Sequence, residues 1–245
     1  MGVPRADGFY GNCDPKNKKN YRTRCSALIK TSEENILIDT SPDLRQQLLK
    51  HNIKKINRVL YSHMHGDQTH GINDLRAFYI NKKKQINVYA DKDTSIYLKR
   101  TFSYIFKSFS SDYPATLKLN KLNNNFYTRN NNKKVNIKTV VVEHGKVKSN
   151  CFIINKKLAY ISDVSKIYEK DFKNFRNLDY LIIDCLLYKS HPSHFSLENA
   201  LSMVEKFKPK KGILTNLSPS IDYKILKNLL PKKVIPAYDG LTIKL

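Results

Sequence analysis

No stretch of the 245 residues approaches the ~20 consecutive apolar residues that a membrane-spanning helix requires. Met1 to Asp7 holds no apolar segment of signal-peptide type, so a cytoplasmic protein with no membrane partner is expected. Runs of Gly, Ser or Pro that would mark a linker are also missing, which favours one domain over residues 1–245. The four cysteines, Cys13, Cys25, Cys151 and Cys185, include no C-x-x-C pair. This argues against a disulfide framework, and Cys151 and Cys185, set in apolar runs, are expected as small buried hydrophobes. Acidic residues are scarce: 21 Asp and Glu face 44 Lys and Arg, for a net charge of +23. Such charge invites a nucleic-acid reading, because lysines facing phosphates release counterions. Here, however, the basic residues are spread over nearly every loop and mixed with asparagine, and no basic block is interleaved with aromatics. The charge is therefore read as a solvated surface that draws in anionic substrates.

What the chain does contain is an ordinary globular composition, 40% hydrophobic and 27% charged, and one stretch loaded with potential ligands. Tyr61-Ser62-His63-Met64-His65-Gly66-Asp67-Gln68-Thr69-His70-Gly71 follows the apolar Val59-Leu60 and precedes Ile72, Leu75 and Tyr79 at helical spacing. It reads as strand, loop, helix. Two imidazoles at i and i+2 on an extended loop can face one metal ion, and a carboxylate two residues later can reach a position beside it. A His-rich surface loop is the alternative. Three of the chain's seven histidines within eight residues argue against it.

In chain order, residues 1–24 read as loop. Cys25–Lys30 and Asn35–Asp39 read as a hairpin, and Ser41-Pro42 as the cap and first residue of a helix with Leu44, Leu48 and Leu49 on one stripe. Strands are expected at 58–61 and 86–89, and only weak, aromatic-bearing signals from 101 to 132. The second half predicts strands at 134–143, 151–155, 157–161, 178–184, 212–215, 234–235 and 241–243. Helices are predicted over 164–175, 196–207 and 220–230. Polar residues stand at the ends of several of these strands: His144, Asp163 and Asn216, with His194 just before the Ser196 helix cap. Alone, each is more often a turn former or cap.

Taken with the His63 loop, these stretches resemble the metallo-β-lactamase-fold hydrolases and, within them, the PhnP-like group of phosphoribosyl 1,2-cyclic phosphate phosphodiesterases. The resemblance runs from Gly2-Val3-Pro4-Arg5 through Ile36-Leu37-Ile38-Asp39-Thr40, the His63 loop, Ile161-Ser162-Asp163, Ile183-Asp184-Cys185 and His194 to Tyr238-Asp239-Gly240. It implies an α/β fold, an αββα sandwich of two mixed β-sheets with helices on the outer faces. Relative to that pattern, the strand ahead of Gly-Val-Pro-Arg is expected to be missing.

The same resemblance implies site roles. His63, His65 and His144 match three imidazoles of a first metal site, Asp163 a carboxylate bridging two metals, and Asp67 the carboxylate of the second. His194 matches a non-ligand histidine beside the leaving group. Gln68 and Asn216 stand where two further histidines are expected, which puts the second metal in doubt; His70, three residues after Asp67, is a possible replacement. One or two divalent ions, zinc or manganese, are implied, and the N-terminal structural zinc of some relatives is expected to be absent.

Asp39 and Asp184 are expected to accept ring N–H bonds, or else to cap loops. Arg76 is a candidate phosphate clamp, with a salt bridge to Asp74 as the plainer alternative. The expected activity is hydrolysis of a small, cyclic phosphodiester by metal-activated water, with His194 and Asp67 catalytic. The rivals are an RNA-processing nuclease of the same superfamily, a metal-binding scaffold with weak or no activity, and a thioester or lactam hydrolase. Oligomeric state is left open, a homodimer among the options.

Overall fold

A computed structural model describes residues 2–245. The chain forms two compact units, Arg24–Val135 and the combination of Met1–Thr23 with Asn136–Leu245. Each has its own sheet and its own core.

In the Arg24–Val135 unit, β1 (Ala27–Lys30) pairs antiparallel with β2 (Asn35–Ile38), as the hairpin pattern predicts. β3 (Arg58–Leu60), β4 (Ile86–Ala90) and β5 (Leu117–Lys121) then add in parallel, in the order β1-β2-β3-β4-β5. Parallel neighbours need crossover segments, and these are α1 (Leu44–Lys50), α2 (Gly66–Thr69), α3 (Arg76–Lys82), α4 (Lys92–Thr101) and α5 (Ser103–Phe106). β6 (Asn125–Asn130) follows. Leu44, Val59, Tyr61, Ile72, Leu75, Val88, Leu98 and Leu117 are buried together as the core, and each such side chain contributes about 1.5–3 kcal/mol on leaving water. The weak aromatic stretch at 101–132 thus resolves into a short helix and two strands.

The other unit carries β7 (Lys133–His144), β8 (Val147–Ile154), β9 (Leu158–Ile161), β10 (Tyr180–Asp184), β11 (Lys211–Thr215) and β12 (Val234–Pro236). β7, β8 and β9 form an antiparallel meander; β9, β10, β11 and β12 run parallel. Between the last strands lie α6 (Leu197–Phe207) and α7 (Tyr223–Leu229). Ser196 caps α6 in a reciprocal box with Asn199, and Ala200, Val204 and Phe207 are buried.

Four local expectations are corrected. The 164–175 segment is not an α-helix. Val164 N–H is bound by Asp184 and Ser165 N–H by the Glu143 carbonyl, which hold the chain extended, and only the 3-10 turn Glu169–Asn174 forms. Asp43, not Ser41, occupies the cap position of α1, and Leu49 is 62% exposed, off the buried stripe. The last helix begins at Tyr223 because Asp222 accepts from the Lys224 and Ile225 amides. No strand forms at 241–243.

Gly71 closes the ligand loop against α1. A Cβ there would lie 1.9 Å from the Ser41 carbonyl oxygen, so only glycine permits the approach. Gly71→Ala is expected to destabilise the protein by about 1–3 kcal/mol, as for overpacked sites, in urea unfolding followed by circular dichroism.

Candidate metal centre

The polar residues collect where strands end. Asp39 follows β2 and adopts a left-handed φ of 61°, turning its carboxylate toward the loop after β3. Its two oxygens accept from Ser62, Oδ1 from the amide at 2.7 Å and Oδ2 from the hydroxyl at 2.8 Å. The Ser62 hydroxyl proton is thereby committed, so its oxygen can only accept from His63 Nδ1, 3.0 Å away. That relay places the His63 proton on Nδ1 and leaves Nε2 with a lone pair. Asp39 thus reaches His63 through Ser62, a link the sequence reading missed although Ser62 directly precedes the histidine.

His63 Nε2 lies 3.1 Å from His65 Nδ1, with the rings 4.6 Å apart and tilted by 76°. The loop is held at its far end as well, where the Thr69 hydroxyl donates to the His65 carbonyl and Thr40 Oγ1 meets the Thr69 carbonyl and the Tyr61 hydroxyl. Asp67 sits in the first turn of α2, partly exposed, and Gln68 behind it is buried. His70 points elsewhere: its Nε2 bonds to the Tyr97 hydroxyl at 2.8 Å. Arg76 is exposed at the start of α3 and, among the described residues, forms no ion pair with Asp74 or any other acid.

In the other unit His144 ends β7, Asp163 follows β9, Asp184 ends β10 and Asn216 follows β11. One ligand atom each from His144, Asp163 and His194 lies within 4.8 Å of the others, close enough to hold a metal ion. His144 Nδ1 donates to the Ser193 carbonyl at 2.6 Å, and His194 Nδ1 to Asp184 Oδ2 at 2.8 Å. On both rings Nδ1 is thereby committed, as it is on His63. Asp184 accepts from His194 as expected, but on a ring the resemblance marks as a non-ligand. It is wholly buried, and its Oδ1 has no hydrogen-bond partner among the described residues. Burial pushes its carboxyl up to about 7, with the His194 hydrogen bond opposing.

Asn216 takes a left-handed φ of 60° and turns its amide nitrogen toward Asp163 Oδ1 and the Ser162 carbonyl, both at 3.2 Å. It reaches the site as a hydrogen-bond donor, a role that excludes that nitrogen as a metal ligand. His191 was not singled out from the sequence, although His191-Pro-Ser-His194 has a ligand-like spacing. Its ring stands 5.2 Å from that of His194, its Nδ1 faces the Ser193 amide and hydroxyl, and burial, then His194, lowers its pKa.

Residues 34–215 match the family described as a beta-lactamase superfamily domain. The crystal structure of a diphosphatase from the PhnP family superposes with a TM-score of 0.86 at 28% identity, over 100% of this chain and 93% of that one. Zn(2+)-bound PqqB from Methylobacterium extorquens shares the fold, with a TM-score of 0.73 and 16% identity over 100% and 96% of the two chains. The octanoyltransferase of Porphyromonas gingivalis (strain ATCC BAA-308 / W83) is 29% identical over 98% of this chain. That alignment covers 48% of the relative, so the chain spans about half its length.

The Asp39–Ser62–His63 relay makes a specific demand. With Zn²⁺ as the probe, Ser62→Ala is expected to weaken divalent-ion affinity ~10- to 100-fold, the usual loss when the orienting partner of a candidate ligand is removed, in competition with a chromogenic chelator.

Proposed function

This chain belongs to the beta-lactamase superfamily, and from that footing we propose that it is a metal-dependent hydrolase of small anionic phosphodiester or diphosphate substrates. One observation carries the proposal. His63 and His144, two of the proposed ligands, each have Nδ1 tied to an oxygen acceptor, which sets the tautomer whose lone pair lies on Nε2. The similarity to a PhnP-family diphosphatase over the whole chain favours a phosphorus-centred substrate. The name octanoyltransferase belongs to a protein twice as long and is not carried over.

We assign His63, His65, His144 and Asp163 as ligands of a divalent ion. Imidazole nitrogens with a carboxylate suit zinc or manganese. The ion supplies polarisation of phosphoryl oxygens and a lowered pKa for water. The protein's own groups do the rest. Asp67 takes a proton from the attacking water. His194 holds a proton on Nε2 for the departing oxygen, and Asp184 steadies the imidazolium through Nδ1. Asn216 fixes Asp163 Oδ1 by hydrogen bond, the place where a second metal would otherwise compete for that oxygen. With Asn216 donating and His70 engaged by Tyr97, the proposal is a site that works with one metal. Arg76, exposed and without an ion pair among the described residues, is available to a substrate phosphate.

The net charge of +23 favours one rival, an RNA-processing nuclease. Metal content per chain, followed by turnover of a chromogenic phosphodiester, a ribose cyclic phosphate and a short RNA, separates the readings. Cleavage of RNA alone, abolished by moderate salt, would establish the nuclease, and absence of turnover by metal-reconstituted protein would leave only a scaffold.

His194→Ala is expected to keep its metal while turnover slows ~10²- to 10⁴-fold, the span of general acid catalysis; metal loss in that variant would make His194 a ligand. Asn216→His should raise bound metal toward two equivalents per chain by elemental analysis, and an unchanged stoichiometry would count against the one-metal explanation.

A further inference from the structure

His70 is not absorbed by the proposed chemistry, and its surroundings suggest another use. Its ring lies over Gly66, between His65 and Asp67: a Cβ on Gly66 would meet the imidazole at 3.2–3.4 Å. The bare glycine lets the ring rest directly on the ligand loop. From there His70 Nε2 reaches the Tyr97 hydroxyl of α4 at 2.8 Å, with the ring planes 3° apart and the centroids separated by 6.4 Å. At that separation the rings do not overlap face to face; their planes run parallel and the hydrogen bond joins them. Phe102 braces the imidazole at 5.6 Å and 82°, an edge-to-face contact. Tyr97 is half-buried against the core, whereas His70 is exposed.

We propose that this His70–Tyr97 pair is a stacking shelf for a nucleobase, which makes the substrate a small nucleotide with its phosphate toward the His63 loop. The phosphate's orientation rests on the hydrolase reading; the shelf does not. The hydrogen bond holds two aromatic rings parallel at the rim of the loop, and stacking on such rings accepts any base. The imidazole rests on Gly66, the residue between His65 and Asp67, so the pair borders the loop that carries the proposed ligands.

Titration calorimetry of the metal-loaded protein with AMP and with ribose 5-phosphate, which lacks only the base, tests the shelf. AMP is expected to bind about tenfold tighter or more. That preference should fall to about twofold or less in both Tyr97→Ala and His70→Ala at unchanged metal content. If Tyr97→Ala melts too low to assay, His70→Ala, at an exposed position, decides. Equal affinity for the two ligands in the wild type, or a preference that survives the substitutions, overturns the shelf. A single-stranded hexaribonucleotide binding more than ~10-fold tighter than AMP at about 0.15 M salt overturns the small nucleotide in favour of a strand. Hydrolysis of bis(p-nitrophenyl) phosphate, followed in parallel, keeps the two ideas apart. Turnover without base preference removes the shelf and leaves the hydrolase; base preference without turnover removes the hydrolase and leaves the shelf.

Discussion

A neutral imidazole offers a lone pair at only one of its two nitrogens, and which one is decided by whatever takes the proton at the other. Much of the polar structure here exists to make that decision. His63 gives its Nδ1 proton to Ser62, backed by Asp39; His144 gives its own to a backbone carbonyl; His194 gives its own to a buried carboxylate. The three acceptors differ in kind and come from different places in the chain, yet each holds a proton on Nδ1. Preorganisation of this sort removes a step that would otherwise oppose ion capture.

Backbone topology supplies the acceptors. In parallel strands every carboxyl end faces the same edge of the sheet, so residues that follow parallel neighbours gather there. Asp39 and Ser62 lie after β2 and β3, and Asp163, Asp184 and Asn216 at or after β9, β10 and β11, all parallel neighbours within their sheets. The cost of the arrangement is local. Asp39 and Asn216 are held at positive φ, and Asp184 carries a buried oxygen without a partner among the described residues.

How much of this was legible in the sequence depended on the range of the determining contact. Strands and the capped α6 were readable because alternation, helical spacing and Ser-x-x-Asn are local signals. The resemblance carried by the His63 loop, Ile161-Ser162-Asp163 and His194 is borne out by the family match and by the PhnP-family diphosphatase. What could not be read was fixed by partners far along the chain. Residues 164–175 have helical composition, but Glu143 and Asp184 claim their first amides. Ser193 has nothing in its own neighbourhood to mark its carbonyl as the acceptor for His144, 49 residues away, and His70 could not reveal that its ring meets Tyr97, 27 residues on.

The turn that follows His144 is as short as a hairpin allows. Pairing of β7 with β8 continues to His144 and Val147, leaving Gly145 and Lys146 to reverse the chain, with Gly145 at a φ of 60° and a Cβ there 2.8 Å from Ser193. Such a turn has no slack. An inserted residue would displace the imidazole along the strand axis, and a side chain at Gly145 would push away the segment whose carbonyl orients it. Drift over generations is thereby confined to the exposed Lys146, so this hairpin should keep its length in descendants of the chain even where the surrounding surface changes freely.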